Sequence, residues 1–311
     1  MTEFSTAWPE VPQEPMWLTI GNFDGLHLGH QALIEALKAR ARADGALSML
    51  LTFRPHTRVF LQHIQERFYL VDELERLELL TRTGLDKVLT LPFDTDLAEM
   101  EAEDFFDLIV SRLNVRGIVL GEGFVMGRKG RGNVELIRQL CEEKHITCLV
   151  LPPFCVDGVV VSSRRVRSAL AKGQMKVVSR LLGRPYSVMG EVREGKRLGS
   201  KLGFPTANQI TDPTKMLPRY GVYATLAWIN GHRYFAVTSV GVRPTFEDTN
   251  LPNVETLLLD FDDNIYHKQL KVDFIAYLRD EARFENLADL IHQIEVDKAE
   301  ARRILTDGPY A

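Results

Sequence analysis

Two histidines three residues apart, His27 and His30, stand inside a glycine-rich string, Gly21-Asn22-Phe23-Asp24-Gly25-Leu26-His27-Leu28-Gly29-His30. Imidazoles beside glycines suit an anion. Glycine lets a phosphate come close to the backbone, and each imidazole can supply an N–H donor or a positive charge. The string follows an apolar run, Trp17 to Ile20, and precedes a pattern in which Leu33, Ile34, Leu37 and Ala41 share one helical face. Strand, bend and helix N-terminus, in that order, offer a ligand free backbone donors and the positive end of the helix dipole. Surface histidines on a common turn, or a pair of metal ligands, would fit two of these residues. The whole string in strand-to-helix context favours a nucleotide site, with Gly21, Phe23, Asp24 and Gly29 as its loop and His27 and His30 adding hydrogen-bonding or protonated side chains beside it.

Three further segments carry cations or hydroxyls that suit the same ligand. Phe53-Arg54-Pro55-His56 ends a second apolar strand, Leu47 to Phe53, and open α/β sheets bind ligands beyond the carboxyl ends of their strands. Gly121 to Gly132 is glycine-rich and holds Arg128, Lys129 and Arg131. In Ser162-Ser163-Arg164-Arg165-Val166-Arg167, Ser163 reads as an N-cap, leaving helix N–H groups and the arginines to face an anion. Each segment alone reads equally as a solvated basic loop. Together, at the strand ends of one sheet, they favour a triphosphate.

In the second half, Gly199-Ser200-Lys201-Leu202-Gly203-Phe204-Pro205-Thr206-Ala207-Asn208 is polar, glycine-rich and stiffened by Pro205. A hydroxyl and an amide two residues apart, Thr206 and Asn208, can bind Mg²⁺ and phosphate oxygens, although the spacing also fits an ordinary loop before a strand. No P-loop string (Gly, four residues, then Gly-Lys-Ser/Thr) occurs, so a kinase here is of another type. From pattern alone, Glu255 reads as a cross-strand charge on a barrel surface.

The strings GNFDGLHLGH and FRPH and the paired serines of the SSRRVR segment resemble the N-terminal half of bacterial FAD synthetases, which are bifunctional riboflavin kinases and FMN adenylyltransferases. GFPTAN, Gly241-Val242-Arg243-Pro244-Thr245 and Arg279-x-Glu281-x-x-Phe284 resemble the riboflavin kinase half. The resemblance runs from about Leu18 to Leu305. It implies that His27, His30, Ser162, Ser163 and Arg167 serve ATP phosphates in the first half, with His27 and His30 as its catalytic groups. In the second, Gly203, Pro205, Thr206 and Asn208 would serve the nucleotide, with Thr206 and Asn208 as the Mg²⁺ ligands. Glu255 would be the catalytic base, and Arg243, Arg279, Glu281 and Phe284 would lie at the flavin. The implied substrates are riboflavin, FMN and ATP, with FAD as the final product. The chain departs from the family pattern at Gly123, where Asn or Asp is usual, at Arg164 for threonine, and at Thr57, which ends the FxPHP motif in place of proline. In the barrel half, Leu257, Ser200 and His267 also depart from it. A monofunctional kinase and a non-catalytic flavin-binding regulator are the alternatives.

Positioning these groups requires two kinds of fold. In the first half strands alternate with helices. After the first helix, Leu47–Phe53 is a strand. Asp72-x-x-Glu75 then resembles a capping box before a helix carrying Leu74, Leu77 and Leu80 and ending near Gly84. Val88–Leu91, Gly117–Gly121 and Ile146–Leu151 are strands; Phe105–Leu113 and Val134–Cys141 are helices. That rhythm predicts a Rossmann-like parallel sheet. It changes near Leu182-Gly183-Arg184-Pro185, which sets the expected domains at 1–183 and 184–311. Beyond it, Asn230-Gly231 marks a hairpin between Val222–Ile229 and Tyr234–Val240. Asp262-Asp263-Asn264 marks a second between Val254–Phe261 and Leu270–Leu278. A small antiparallel β-barrel with a terminal helix from Asn286, bearing Leu287, Leu290, Ile291 and Ile294 on one face, is expected. The fold class is therefore α/β plus β.

Composition narrows the function classes. The 311 residues are 45% hydrophobic and 26% charged, ordinary for a globular chain of about two domains. A net charge of −4 gives no basic footprint for nucleic acid. No apolar run approaches a membrane span, and the polar, proline-containing start is read as a lead-in rather than a secretory signal. Cys141, Cys148 and Cys155 are odd in number and lack CxxC spacing, so a cytoplasmic location is expected. Oligomeric partners are not specified by any of this.

Overall fold

The structure, a computed structural model, describes residues 2–9, 14–194, 204–242 and 252–308. Contacts divide the chain into two compact units, Met1–Ser163 and Arg164–Ala311.

The first unit contains β1 (Glu3–Ser5), β2 (Met16–Ile20), α1 (Leu28–Ala43), β3 (Leu47–Arg54), α2 (Thr57–Leu61), α3 (Glu73–Thr83) and β4 (Lys87–Pro92). It continues with α4 (Thr95–Glu99), α5 (Ala102–Arg112), β5 (Val115–Gly121), α6 (Val134–Glu143) and β6 (Thr147–Leu151). The ribbon β7 (Cys155–Val156) with β8 (Val159–Val160) precedes α7 (Ser163–Ala171). The six-stranded sheet has the order β1-β4-β3-β2-β5-β6, with every pair parallel. β2, β3 and β5 are buried on both faces, which is why they read as unbroken apolar runs. Alternate residues feed two cores. Leu18, Ile20, Leu51 and Ile118 pack against α5 and α6 through Phe106 and Ile137. Trp17, Leu50 and Val119 pack against α1 through Ile34 and Leu37. The strand order reverses direction between β2 and β5, which opens a crevice at their carboxyl ends.

Three readings of the sequence need correction. The polar N-terminal lead-in supplies an edge strand, β1, parallel to β4. In α3 the capping box holds, Asp72 accepting the Glu75 N–H at 2.9 Å, and Gly84 closes the helix at φ 69°. Its inward face differs, however: Leu74 is 69% exposed, whereas Arg76 is 5% exposed beside buried Leu80. Apolar spacing alone cannot anticipate a buried guanidinium with a polar partner inside. The second hairpin does not form, as described next.

The second unit holds most of α7, α8 (Met175–Leu182), β9 (Tyr186–Arg193), β10 (Thr206–Thr211), β11 (Gly221–Ile229), β12 (His232–Val242), β13 (Pro252–Leu258), β14 (Gln269–Arg279) and α9 (Leu287–Asp307). The strands close an antiparallel barrel in the order β10-β13-β12-β11-β14-β9, and β10 pairs with β9 to seal it. Asn230 and Gly231, both at positive φ, turn β11 into β12 as expected. β13 and β14 are not neighbours: β13 lies between β10 and β12, and β14 between β11 and β9. The Asp262–Asn264 signal therefore belongs to a connection that crosses to another part of the barrel. α9 is capped by Asn286, whose side chain accepts the Asp289 N–H at 2.9 Å. The helix buries Ala301 and Leu305 against Val222, Leu226 and Val237, while Leu287 is exposed and Leu290, Ile291 and Ile294 are half-buried.

Candidate active sites

The loop after β2 and the start of α1 form one wall of a cleft of about 640 Å³ at the strand-order reversal. Gly21, Phe23, His27, Gly29 and His30 line it, facing Gly121–Phe124 after β5 and Ser162 before α7. His27 caps α1: its Nδ1 accepts the His30 N–H at 3.2 Å. An accepting Nδ1 puts the ring proton on Nε2, which becomes a donor. The His30 ring stacks on His27 with centroids 3.6 Å apart and an 18° tilt, and Phe23 flanks His30 at 4.9 Å. Phe124 and Phe154 give the cleft an apolar side. The combination suits a phosphorylated ligand with a flat ring.

Asp24 and Ser163 stand behind this wall. The Asp24 carboxylate accepts the Leu70 N–H at 3.0 and 3.2 Å, and its carbonyl accepts the Ser163 hydroxyl at 2.9 Å. α7 begins at Ser163 itself, so that hydroxyl ties two segments together where a helix cap was expected. Arg167 is half-buried in α7. The basic loop after β5 behaves differently from its sequence reading. Arg128 pairs with Glu99 at 2.8 Å and Glu101 at 3.7 Å, and Arg131 with Glu101 at 3.8 Å. These cations serve α4 and α5, and the loop presents Gly121–Phe124 to the cleft instead.

The FRPH segment reaches the loop through its following residue. Asn22 Nδ2 donates to the Thr57 hydroxyl at 2.9 Å, and Thr57 N–H donates to Asn22 Oδ1 at 3.0 Å. Proline, usual at that position, has neither group.

In the barrel, Thr206 and Asn208 lie two apart on β10 and share a face. The register sets Asn208 directly opposite Glu255 of β13. Asn253, also on β13, joins them, its amide donating to Glu255 Oε1 at 2.6 Å and to Asn208 Oδ1 at 3.4 Å. Thr206 borders two cavities. One, of about 310 Å³, is lined by Glu255, Arg279, Glu281 and Phe284, with Leu290 and Ile294 of α9. The other, of about 420 Å³, is lined by Pro205, Asp262, Asp263, Asn264 and Tyr266. Gly203 and Arg243 lie outside the described residues.

Two features of this site escape sequence reading. Arg279 is committed to α9: its Nε and Nη2 contact the Asp297 carboxylate at 2.9 and 2.7 Å, and Asp297 is buried. That fork fixes the guanidinium about 5.9 Å from the Phe284 ring. Glu281 has its carboxyl pushed above the usual range, first by burial and then by the charge of Glu255, against the pull of Arg279. A Cβ on Gly241 would come within 1.9 Å of Glu281 Oε1, so any larger residue there would displace that carboxylate from its present position. The signals were present in the sequence, namely an asparagine two before Glu255 and an acid among the apolar residues of α9, but nothing local ranked them above surface polar residues.

Oxygen donors of the Thr206–Asn208–Glu255 kind suit a hard cation that keeps most of its contacts with substrate phosphates and water. Among the described residues no group of three or more His, Cys, Asp or Glu is arranged to hold a metal by protein alone.

Residues 10–165 match the FAD synthetase family model, and residues 182–305 match the riboflavin kinase model. The bifunctional riboflavin kinase/FMN adenylyltransferase of Listeria monocytogenes is 31% identical over 92% of this chain and 91% of its own length. The protein of the same description from Escherichia coli is 34% identical over 94% of each. A crystal structure described as a macrolide-efflux protein from Streptococcus pneumoniae superposes with a TM-score of 0.88 at 27% identity, covering 97% of this chain and 98% of that one. Among the described residues here, no helix is long and apolar enough to cross a membrane.

Proposed function

We infer the activity from one premise: the chain belongs to the bifunctional riboflavin kinase/FMN adenylyltransferase family. It phosphorylates riboflavin with ATP to give FMN, then transfers AMP from ATP to FMN, giving FAD and pyrophosphate. The observation that carries the first step is Thr206, which borders both barrel cavities, beside Asn208 and its cross-strand partner Glu255.

The Asp262–Tyr266 cavity takes the nucleotide, and the Arg279–Phe284 cavity takes the flavin. Their common border is where phosphoryl group and ribityl hydroxyl meet. Glu255 accepts the proton of the terminal hydroxyl as its oxygen bonds to the γ-phosphorus and the bond to the β-phosphate oxygen breaks, releasing ADP. Asn253 holds the carboxylate in place through Oε1. Thr206 and Asn208 would hold Mg²⁺, which neutralises phosphate charge when bound.

In the α/β half, a phosphate oxygen of FMN attacks the α-phosphorus of ATP and pyrophosphate leaves. Positioned donors stabilise the charge that develops on the transferring phosphates. His27 Nε2, His30 and the loop N–H groups supply them from one wall of the cleft, and Ser162 stands among its lining residues. Gly21 and Gly29 let the Phe23 and His27 rings lie close to the backbone, where a Cβ would meet them at 3.2 and 3.3 Å. The three cysteines are all free thiols, which supports a reducing, cytoplasmic setting.

The test is incubation of the chain with riboflavin, ATP and Mg²⁺, with chromatographic separation of riboflavin, FMN and FAD over time. FMN followed by FAD is expected. FMN without FAD would overturn the second step, and no product would overturn both.

A further inference from the structure

Arg76 is the least expected group in the α/β unit: an arginine 5% exposed on the inner face of α3. Its Nη2 donates to Thr52 Oγ1 at 2.7 Å, and Thr52 is fully buried in β3. The same hydroxyl donates to the main-chain carbonyl of Asn22 at 3.3 Å. The charge partners of Arg76 are loose or shared: Glu73 Oε2 lies 3.8 Å from Nη1 and is also engaged by Arg54, and the Asp24 carboxylate adds a further attraction. Arg76 Nε is a buried donor without an acceptor among the described residues. The close hydrogen bond of this buried cation is therefore the one to Thr52, and its charge polarises the hydroxyl that leads to Asn22.

The consequence follows from peptide planarity. In a trans peptide the carbonyl of one residue and the N–H of the next point in opposite directions. Holding the Asn22 carbonyl down against β3 turns the Phe23 N–H away from the sheet, on the side where Asn22 and Phe23 line the cleft. Phe23 has φ 49°, a left-handed conformation that a bulky residue holds only when its surroundings enforce it.

We propose that Arg76, acting through Thr52, is a positioning residue for adenylyl transfer, orienting the Phe23 peptide so that its N–H meets an oxyanion of the reacting phosphates. The assignment rests on the adenylyltransferase reading of the cleft. Arg76 itself touches no substrate; the relay runs from guanidinium to hydroxyl to carbonyl.

The test uses the full chain with Thr52→Val, Thr52→Ser, Arg76→Met and Arg76→Lys. FMN adenylylation is measured as kcat and KM for ATP, riboflavin phosphorylation serves as the internal reference, and thermal unfolding reports folding. Thr52→Val keeps the buried shape and removes only the linking hydroxyl. It is expected to lower adenylylation kcat on the order of tenfold, less than loss of a complete oxyanion donor, with KM for ATP little changed. Thr52→Ser restores the hydroxyl and should recover most of the rate. Arg76→Met should match Thr52→Val, and Arg76→Lys should fall between Arg76→Met and wild type. Phosphorylation should be unchanged throughout. A Thr52→Val enzyme with wild-type kcat, or a Thr52→Ser enzyme as slow as Thr52→Val, overturns the relay while leaving the adenylyltransferase reading intact. A wild-type chain that makes FMN but no FAD overturns that reading and the relay with it.

Discussion

Asn22 and Thr57 hold each other by two reciprocal hydrogen bonds, 2.9 and 3.0 Å long, that tie the loop after β2 to the first residue of α2. The pairing turns a departure from the family pattern into a working contact, because proline at this position could make neither bond. Thr57 is the first residue of α2, where proline is sterically tolerated. Thr57→Pro should therefore fold normally and lose about 1 kcal/mol of loop tethering per bond. FAD formation from FMN is expected to slow several-fold while riboflavin phosphorylation is unchanged. Equal rates for FAD formation in variant and wild type would show that the loop is held adequately by other contacts.

The barrel makes a sharper prediction. Glu255→Gln keeps the shape of the side chain, and its amide oxygen can still accept from Asn253, but the group can no longer take a proton. Riboflavin phosphorylation should fall by about 10²–10⁴, the usual contribution of a positioned base. FMN supplied directly should still become FAD at the wild-type rate. A Glu255→Gln enzyme within a few-fold of wild type in phosphorylation would remove the base from Glu255.

Glu281 predicts a pH dependence of stability with a definite sign. Its carboxyl titrates above the usual range because burial and Glu255 disfavour its charge. The folded barrel thus binds this proton more tightly than the unfolded chain does. The stability it contributes is complete below the ordinary carboxylate pKa of about 4.3 and is lost as pH rises through the raised value. Glu281→Gln removes that loss. Unfolding midpoints of ligand-free variant and wild type should lie close together near the acid end and separate in favour of the variant toward neutral pH. A separation that shrinks as pH rises would contradict the sign.

Gly123 offers a gain-of-function test. It lines the adenylylation cleft, and a Cβ built there meets nothing within 4 Å. Gly123→Asn should fold without strain and restore the polar group usual in the family. One added neutral hydrogen bond would raise kcat/KM for FMN adenylylation by about two- to tenfold. No gain would mean that this cleft handles its substrates without an amide at that point.

The parts of the fold that could be read in advance are those in which neighbouring residues carry the signal. β2, the glycine bend and α1 are coded by an apolar run, local turn chemistry and a stripe at Ile34, Leu37 and Ala41. The Asn230–Gly231 turn is equally local. Arg76 was illegible because its partner Thr52 comes from another element, and a helix pattern counts apolar residues rather than buried charge. Leu74 and Leu77 looked like the inner face for the same reason. The Asp262–Asn264 segment resembled a hairpin turn because turn residues specify a bend but not which strand comes next to which. The pairing of Asn208 with Glu255 depends on barrel register, which two short motifs 47 residues apart cannot convey.

Thr206 stands on the border of both barrel cavities. A residue common to both linings gives each guest a neighbour that the other also touches, so occupancy of one cavity can be felt in the other. If ATP alters the grip on riboflavin, riboflavin alters the grip on ATP by the same factor.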